Sequence, residues 1–374
     1  MTGTIRKRGQ RSWGVRFDIG RDPATGKRRF RYLSVKGTKA DARRALTEVL
    51  HEHDTGTDVA RSRITVSEFL NRWLSDHAAM NAAPSTLTRY RQIVERLAPL
   101  VGALQLQELR PPHIQDAYAR LLEDGLAPRT VLHHHRVLRE ALQQALRWQI
   151  LTRNPADAVT PPRPKDREMR ALRPEEVRLL LDACPDPDLQ AVIHTAVTTG
   201  LRLGELLGLR WQDLDLDAAT ATITRAAQYL PQTGVTVRPP KTARGRRTIA
   251  LSDETLQTLH AHRARQLAHR LALGPAHQDE DLVFPAANGA LQPPYRVSQR
   301  FHRLVASTAL GPVRFHDLRH TAATLALRAG VPIKIVSTRL GHSTSSLTLD
   351  TYSHVTVDMQ RDAAAAIDEV LRAH

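Results

Sequence analysis

The stretch that decides the fold of the C-terminal half is Arg314–Tyr352, RFHDLRHTAATLALRAGVPIKIVSTRLGHSTSSLTLDTY. Within it His316, Arg319 and His320 are spaced i, i+3 and i+4, which predicts that they line one face of a short helix. A tyrosine hydroxyl has a solution pKa of about 10, so it becomes a useful nucleophile only where cations and hydrogen-bond donors surround it. The stretch supplies such groups near Tyr352, although a core helix with solvated basic side chains would have the same spacing.

Two more basic residues lie in distinctive surroundings upstream. Arg202 lies in Thr199–Leu209, TGLRLGELLGL, at the start of an apolar helical run, where it could simply pair with Glu205 at i+3 on a solvated face. Lys241 begins the glycine-containing basic segment Pro240–Leu251, which predicts a β-hairpin with the lysine near its start. Taken alone, each of these basic residues is more often a solvated side chain than a catalytic one.

The order of these residues resembles the tyrosine recombinase family of the phage-integrase type. The family's catalytic set is Arg, Lys, His, Arg, His or Trp, and Tyr, and every position has a matching residue here. In chain order the matching residues are Arg202, Lys241, His316, Arg319, His342 and Tyr352. The flanking words GLRLGEL, PPKT, HDLRHT, LGH and TYSH match as well. The resemblance is strong over the C-terminal half and covers the first half by organisation only.

The resemblance implies an enzyme that cuts and rejoins DNA strands. The guanidinium groups of Arg202 and Arg319 would grip the nonbridging oxygens of the attacked phosphate. His342 would donate another hydrogen bond to the phosphate, and His316 would accept the proton of the Tyr352 hydroxyl. The tyrosine would then form a 3′-phosphotyrosyl link and release a free 5′-hydroxyl.

The remaining roles and partners follow from the same resemblance. Lys241 would protonate the leaving 5′-oxygen, while Glu205 would orient Arg202 and His320 would pack beneath the site. The sequence has no phosphate-cradling Gly-rich loop and no carboxylate metal cluster, so no metal and no other cofactor is expected. The implied partners are double-stranded DNA at core-type and arm-type sites, further copies of the chain in a homo-tetrameric synaptic complex, and a DNA-bending accessory protein or excision factor. The reaction would integrate or excise a phage or another mobile element.

Other classes of protein remain open at this point. His316 and His320 have the i, i+4 spacing of the zinc ligands in HExxH metalloproteases, but Asp317 replaces the required glutamate and no third ligand is marked. A DNA-binding regulator without catalytic activity would explain the basic charge alone. A type IB topoisomerase shares the chemistry, although a basic N-terminal module and a helical bundle favour a recombinase.

Composition agrees with a DNA-binding protein of two or three domains. The chain has 374 residues and a formal net charge of +16, and a strongly basic chain most often binds nucleic acid. Its single cysteine, Cys184, excludes an internal disulfide framework. No apolar run is long enough to span a bilayer, and Met1–Gln10 lack the apolar core of a signal peptide, which predicts a cytoplasmic protein.

The first domain, predicted over residues 1–58, is the most basic part of the chain. Residues 1–40 contain twelve Lys or Arg against two Asp. Alternating apolar residues predict strands at 4–7, 13–19 and around 30–32, followed by a helix capped by Thr38 and Asp41 that covers one face of the sheet. We expect the other face to carry Arg16, Arg29 and Arg31 and to bind DNA, since a small β-ribbon fits the major groove. A soluble domain with a merely charged face is the alternative.

The second domain, predicted over residues 64–158, is a four-helix bundle. Thr65 and Glu68 form a capping box for the first helix, and prolines at 84, 111 and 128 begin the next three. The consecutive residues His133–His135 point in different directions on a helix, which argues against a metal site. In the family this bundle is the core-binding, SAM-like domain.

A catalytic domain is predicted over residues 168–374, after the proline-rich basic linker at 160–167, which would lie along phosphates. A helix should begin at Pro174 and another should cover the Gly200 region. Short strands at 221–224, 235–238 and 247–251 would form one small sheet. The predicted fold class is therefore mainly α with small antiparallel sheets: a β-β-β-α domain, a four-helix bundle and a mixed α/β catalytic domain.

Overall fold

A computed structural model describes residues 3–21, 26–54, 62–165, 170–240 and 245–341, together with Ala364, Asp368, Leu371 and Arg372. The chain divides into two compact units, Met1–Asp166 and Arg167–His374. The predicted fold class, mainly α with small antiparallel sheets, is confirmed. None of the helices in those described ranges has both the length and the apolar character needed to cross a membrane.

The first unit opens with an antiparallel sheet and a helix, as predicted. Its elements are β1 Gly3–Gly9, β2 Ser12–Arg21, β3 Arg28–Lys36 and α1 Lys39–Asp54, with the strands in the order β1-β2-β3. Alternation places Val15 and Phe17 in a small core with Ala42 of α1. The predicted cap of α1 is present, because the Thr38 backbone N–H and hydroxyl donate to the Asp41 carboxylate at 2.8 and 2.7 Å.

The prediction that Arg16, Arg29 and Arg31 share the open face of this sheet is wrong. Directly paired residues of an antiparallel sheet lie on the same face. Arg16 pairs with Tyr32, whereas Arg31 pairs with the buried Phe17 and thus occupies a register position of the covered face. Arg29 falls within the stretch where the β2–β3 register shifts. The prediction ignored the two-residue period of β3.

The open face is instead aromatic around one arginine. The Arg16 guanidinium lies 3.7 Å from the ring centroid of Phe30 and 5.8 Å from that of Tyr32. Both aromatic residues are exposed. This face therefore presents a cation held over two aromatic rings.

Four helices complete the first unit. They are α2 Val66–Trp73, α3 Pro84–Val101, α4 Pro111–Glu123 and α5 Pro128–Arg147, and a π-helical turn at Leu74–Ala78 and the short stretch Ala79–Asn81 extend α2. Thr65 and Glu68 cap α2 reciprocally, as predicted. The helices share one apolar core, in which Phe69, Trp73 and Tyr118 are fully buried.

The histidines of α5 point to different partners. His134 donates from Nδ1 to the Thr130 carbonyl at 2.8 Å, and His135 Nδ1 lies 3.2 Å from the Tyr118 hydroxyl. Neighbouring positions on a helix diverge by about 100°. These two histidines therefore serve the packing of the bundle and do not converge on a common ligand.

The second unit combines helices with two small sheets. Its elements are α6 Pro174–Asp182, α7 Pro187–Thr199, α8 Leu203–Gly208, β4 Leu214–Asp215, β5 Thr220–Ile223, β6 Ala226–Leu230, β7 Gly234–Arg238, β8 Arg247–Ala250, α9 Asp253–Leu273, α10 Pro294–Ala306, α11 Asp317–Arg328 and α12 Ile333–Leu340. One core joins α7, α8, β5, β8, α10 and the start of α11, with Leu206 and Leu318 completely buried. A second cluster packs α12 on α11 through Leu327 and Leu340.

The strand pairing differs from the prediction of a single sheet. β5 lies between β4 and β8, while β6 and β7 form a separate hairpin. The sequence alternation located three strands but missed β6 and the short β4, so the pairing could not be derived. The described strand of the segment predicted to form a hairpin near Lys241, β8, pairs with β5, and the separate β6–β7 hairpin ends at Arg238. Lys241 itself lies outside the described residues.

Candidate active site

The structure describes five of the eight residues predicted as catalytic or supporting. Arg202, Glu205, His316, Arg319 and His320 belong to the described part of the second unit. The other three predicted residues, Lys241, His342 and Tyr352, lie outside the described residues. Geometry is therefore available for the two arginines, the carboxylate and the histidine pair.

A tight turn between α7 and α8 positions Arg202. Gly200 ends α7 in the left-handed conformation, with φ of 69°, and Arg202 stands at the N-cap of α8. The Arg202 backbone N–H donates to Glu205 at 3.0 Å and its Nη1 donates to the same carboxylate at 2.8 Å. The predicted helix over the Gly200 region thus begins only at Leu203. The Arg202 side chain stays 42% exposed, so a ligand can reach it.

Glu205 is a buried carboxylate shared by two guanidinium groups. Besides Arg202 it accepts from Arg247, at 2.8 Å to Nη2 and 3.3 Å to Nη1, and its side chain is only 4% exposed. Burial raises the pKa of the Glu205 carboxyl, but the hydrogen bonds and charges of Arg247 and then Arg202 outweigh burial and hold that pKa below its usual range. Glu205 is therefore ionised at neutral pH.

Arg319, on α11, connects this helix to the ends of α7 and α12. Its Nη1 donates to the Gly200 carbonyl at 2.8 Å and its Nη2 donates to the Leu340 carbonyl at 2.6 Å. Those carbonyls lie at the ends of α7 and α12. Arg319 is only 3% exposed, whereas His316, at the N-cap of α11, is exposed.

The two histidines of this segment are held in their neutral forms. Partial desolvation of the ring, followed by the charges of Arg319 and Arg202, lowers the pKa of the His316 imidazole. Burial and the neighbouring His316 lower the pKa of His320 to about 4. Their rings meet edge to face with centroids 5.2 Å apart. A neutral imidazole can accept a proton, which is the chemistry that His316 would have to supply.

The zinc-protease alternative is not supported by this geometry. Asp317, in the place of the catalytic glutamate, is buried and accepts three hydrogen bonds from the Arg314 side chain, the shortest at 2.7 Å. These bonds and the Arg314 charge outweigh burial and lower the pKa of Asp317. Among the described residues, no group of three or more His, Cys, Asp or Glu side chains could hold a metal ion.

Two arginines beneath the site, Arg247 with a buried side chain and the half-buried Arg339, were not predicted from the sequence. Arg247 was predicted only as the start of a strand, and its side chain is 5% exposed. Arg339 was not singled out, yet it donates to the Ala250 carbonyl at 2.9 Å and to the Thr198 carbonyl at 3.0 Å, which holds α12 against β8 and α7. One signal was available, since Arg247 alternates with the buried Ile249 and so belongs to the inner face of β8.

The arrangement is suited to an anion with exposed oxygens. The guanidinium groups of Arg202 and Arg247 share one carboxylate, and Arg319 adds a third positive charge at the Gly200 carbonyl, which leaves a net positive charge beside a neutral imidazole. A phosphate that carries nonbridging oxygens fits such a site. A cavity of about 590 Å³ between α7, α9 and α10 is lined by both acidic and basic groups, including Asp188, His262 and Arg300. None of the five described site residues lines this cavity.

Comparisons with known proteins agree with this interpretation. The model of the phage integrase family matches residues 170–359, and the model of the phage integrase N-terminal SAM-like domain matches residues 65–122. A tyrosine recombinase XerC-like protein of Caldanaerobacter subterraneus subsp. tengcongensis is 26% identical over 385 residues, covering 97% of each chain. The Tn1549 transposon integrase in complex with transposon right end DNA has a TM-score of 0.69 at 22% identity, covering 81% of this chain and 99% of that one. A lambda integrase tetramer bound to a Holliday junction has a TM-score of 0.56 at 19% identity, covering 91% and 96%.

Proposed function

This chain belongs to the phage integrase family of tyrosine recombinases, enzymes that cleave and rejoin DNA, and on that premise we propose that Tyr352 is its nucleophile and that it integrates or excises a mobile element. The observation that carries the proposal is that Arg202 and Arg319 meet at the Gly200 turn of the second unit, where both of their charges act on the neutral His316.

The arginines stabilise the attacked phosphate. Arg202 is exposed enough to bind the nonbridging oxygens directly, and Glu205 fixes the direction of its guanidinium. Arg319 adds its positive charge from beneath and holds the Gly200 turn against α12. Charge that develops on these oxygens in the transition state is stabilised by donors already in place.

Strand cleavage then proceeds by transfer of the phosphoryl group to the tyrosine. The Tyr352 hydroxyl gives its proton to His316, its oxygen bonds to phosphorus, and the bond from phosphorus to the 5′-oxygen breaks. Lys241 gives a proton to the departing 5′-oxygen, and His342 donates a hydrogen bond to the phosphate. Because the phosphotyrosyl ester conserves the energy of the broken phosphodiester bond, a 5′-hydroxyl from the partner strand can attack this ester. That attack reverses the step and joins the strands without ATP. His320 packs against His316 and supports its orientation.

We extend the proposal to the partners and the domains. Duplex DNA is the substrate, in line with the DNA in the Tn1549 and lambda integrase structures, and four copies of the chain would assemble around two sites. The separate apolar cores support a β-β-β-α domain at 1–58 and a helical core-binding domain at 64–158, with the catalytic domain at 168–374. The N-terminal domain would bind arm-type sites through the open face that carries Arg16. A DNA-bending protein or excision factor would join the complex, and the reaction would take place in the cytoplasm.

Removal of one oxygen atom tests the nucleophile. Tyr352→Phe should bind an attachment-site duplex from the ends of the element that encodes the chain, but should form no covalent adduct on a nicked suicide version of that duplex. The measurement is denaturing electrophoresis of labelled DNA. Tyr295→Phe is the matched control, because Tyr295 is an exposed tyrosine of the same unit and its variant should keep the full adduct yield. An undiminished adduct from Tyr352→Phe would refute the assignment.

A further inference from the structure

The Arg247 guanidinium connects three separate segments of the chain. It makes four hydrogen bonds, two to Glu205, one to the Arg339 carbonyl at 2.6 Å and one to the Gly245 carbonyl at 3.1 Å. Its side chain is 5% exposed, so it is shielded from a DNA backbone. Arg247 is therefore placed to act through other residues.

Each of the three segments adjoins a different proposed catalytic residue. Glu205 binds Arg202 directly. Gly245 follows directly on the four-residue stretch that starts with Lys241, and Arg339 lies in the last turn of α12, three positions before His342. A single planar group thus joins the local backbone of three segments whose residues must meet at one phosphate.

Charge balance gives a second reason for Arg247. Glu205 is buried and ionised, and with Arg202 alone the pair would be neutral. The Arg247 charge offsets the carboxylate, so that the charge of Arg202 remains available to a phosphate. Without Arg247 the carboxylate would compete with the phosphate for Arg202.

We propose that Arg247 is a positioning residue that sustains phosphate binding by Arg202 through their shared Glu205. The inference rests on the proposed function. Lysine can replace arginine here only in part, because one ammonium group keeps the charge but cannot span a carboxylate and two carbonyls in a fixed planar arrangement.

The test uses the full chain and three variants: Arg247→Met, Arg247→Lys and Arg247→Met/Glu205→Gln. The rate of adduct formation is measured in a single turnover on the nicked attachment-site duplex, at saturating protein and well below the Tm of each variant. Arg247→Met should slow the adduct by about 10²-fold, as expected for a misplaced catalytic group. Arg247→Lys should form the adduct roughly tenfold faster than Arg247→Met, because it keeps the positive charge.

The double variant separates positioning from folding. Glutamine at position 205 removes the uncompensated carboxylate, so Arg247→Met/Glu205→Gln should form the adduct roughly tenfold faster than Arg247→Met alone. The matched control is Arg210→Met, which removes an arginine paired at i+3 with the buried Asp213 of the same unit and should keep its rate within about threefold.

Three results would overturn the inference. If Arg247→Met lowers only the Tm while the adduct forms at the unaltered rate, Arg247 is a stabilising residue. If the double variant is no faster than Arg247→Met, the sharing of Glu205 is refuted. A lack of adduct with the unaltered protein would overturn the proposed function, and the inference with it, and is distinguishable from the first two results.

Discussion

At the scale of single residues, the candidate site depends on how charged groups are shared. Glu205 accepts hydrogen bonds from two guanidinium groups, and Arg319 donates to two backbone carbonyls. Among Arg202, Glu205 and Arg319, only Arg202 has a substantially exposed side chain. Buried ions are costly unless they are paired and hydrogen-bonded. The buried partners therefore fix the exposed guanidinium in one orientation before any ligand arrives.

Lys241 can be tested by changing the leaving group. If Lys241 protonates the 5′-oxygen, Lys241→Ala should cleave an ordinary strand about 10²- to 10⁴-fold more slowly, as for other losses of a general acid. A strand with a 5′-bridging sulfur should restore most of that rate, because a thiol with a pKa of roughly 8.5 leaves readily as the thiolate. Rates of adduct formation on the two strands give the comparison.

The matched control for this experiment is Arg319→Ala. Arg319 is proposed to stabilise charge on the nonbridging oxygens, which the bridging sulfur leaves unchanged. The cleavage rate of Arg319→Ala should therefore not recover on the sulfur-substituted strand. Equal recovery of both variants would make Lys241 a phosphate-binding residue and would remove it as the acid.

At the scale of elements, the turn between α7 and α8 is the part that brings the site together. The Gly200 carbonyl accepts from Arg319 of α11, and two residues later Arg202 begins α8. A Cβ at position 200 would lie 2.5 Å from Leu340 Cδ2 and 3.3 Å from the Ala322 Cβ. The turn is therefore tightly enclosed by α11 and α12 as well as left-handed.

Gly200→Ala should destabilise the second unit by about 2–4 kcal/mol, from the left-handed backbone and from overpacking. The control is Gly330→Ala, which has a similar φ of 77° but no heavy atom within 4 Å of the added Cβ, so that only the backbone cost of about 1–2 kcal/mol applies. Urea unfolding followed by fluorescence measures both. Equal destabilisation of the two variants would mean that the Leu340 and Ala322 side chains move away from the added Cβ with no loss in the free energy of unfolding.

At the scale of the whole molecule, positive charge is concentrated in the first domain. Residues 1–40 contribute twelve basic and two acidic residues to a chain with a net charge of +16. Deletion of Met1–Gly56 should reduce the slope of log binding constant against log salt by about 0.9 for each phosphate that the truncated protein no longer neutralises. The truncated protein should still cleave core-type sites, and gel-shift titrations at several salt concentrations measure the slope.

Point substitutions separate local recognition from total charge. Arg16→Ser and Arg44→Ser remove the same charge, but Arg16 lies on the open face of the sheet whereas Arg44 lies on α1 with its side chain 81% exposed. Only Arg16→Ser should weaken protection of a second, arm-type site in a footprint. Identical footprints of the full-length and truncated proteins would contradict an arm-binding domain.

The sequence alone was sufficient for the local structure and for the family. Period-two and period-3.6 apolar patterns located the N-terminal strands and the bundle helices, and short-range chemistry located the caps at Thr38 and Thr65, because these signals act over a few residues. The spacing of Arg202 and Glu205 likewise predicted their contact, since i and i+3 adjoin on any helix.

Only the tertiary structure decided which residues lie on which face and which groups are buried together. Arg31 belongs to the covered face because strand register is set by pairing with β2, and β6 pairs with β7 because the hairpin packs on α8. Arg247 reaches Glu205 from 42 residues away, and Arg319 reaches Gly200 from 119 away. Such contacts arise from the packing of elements that are distant in the chain, and a single sequence carries no local signal for that packing.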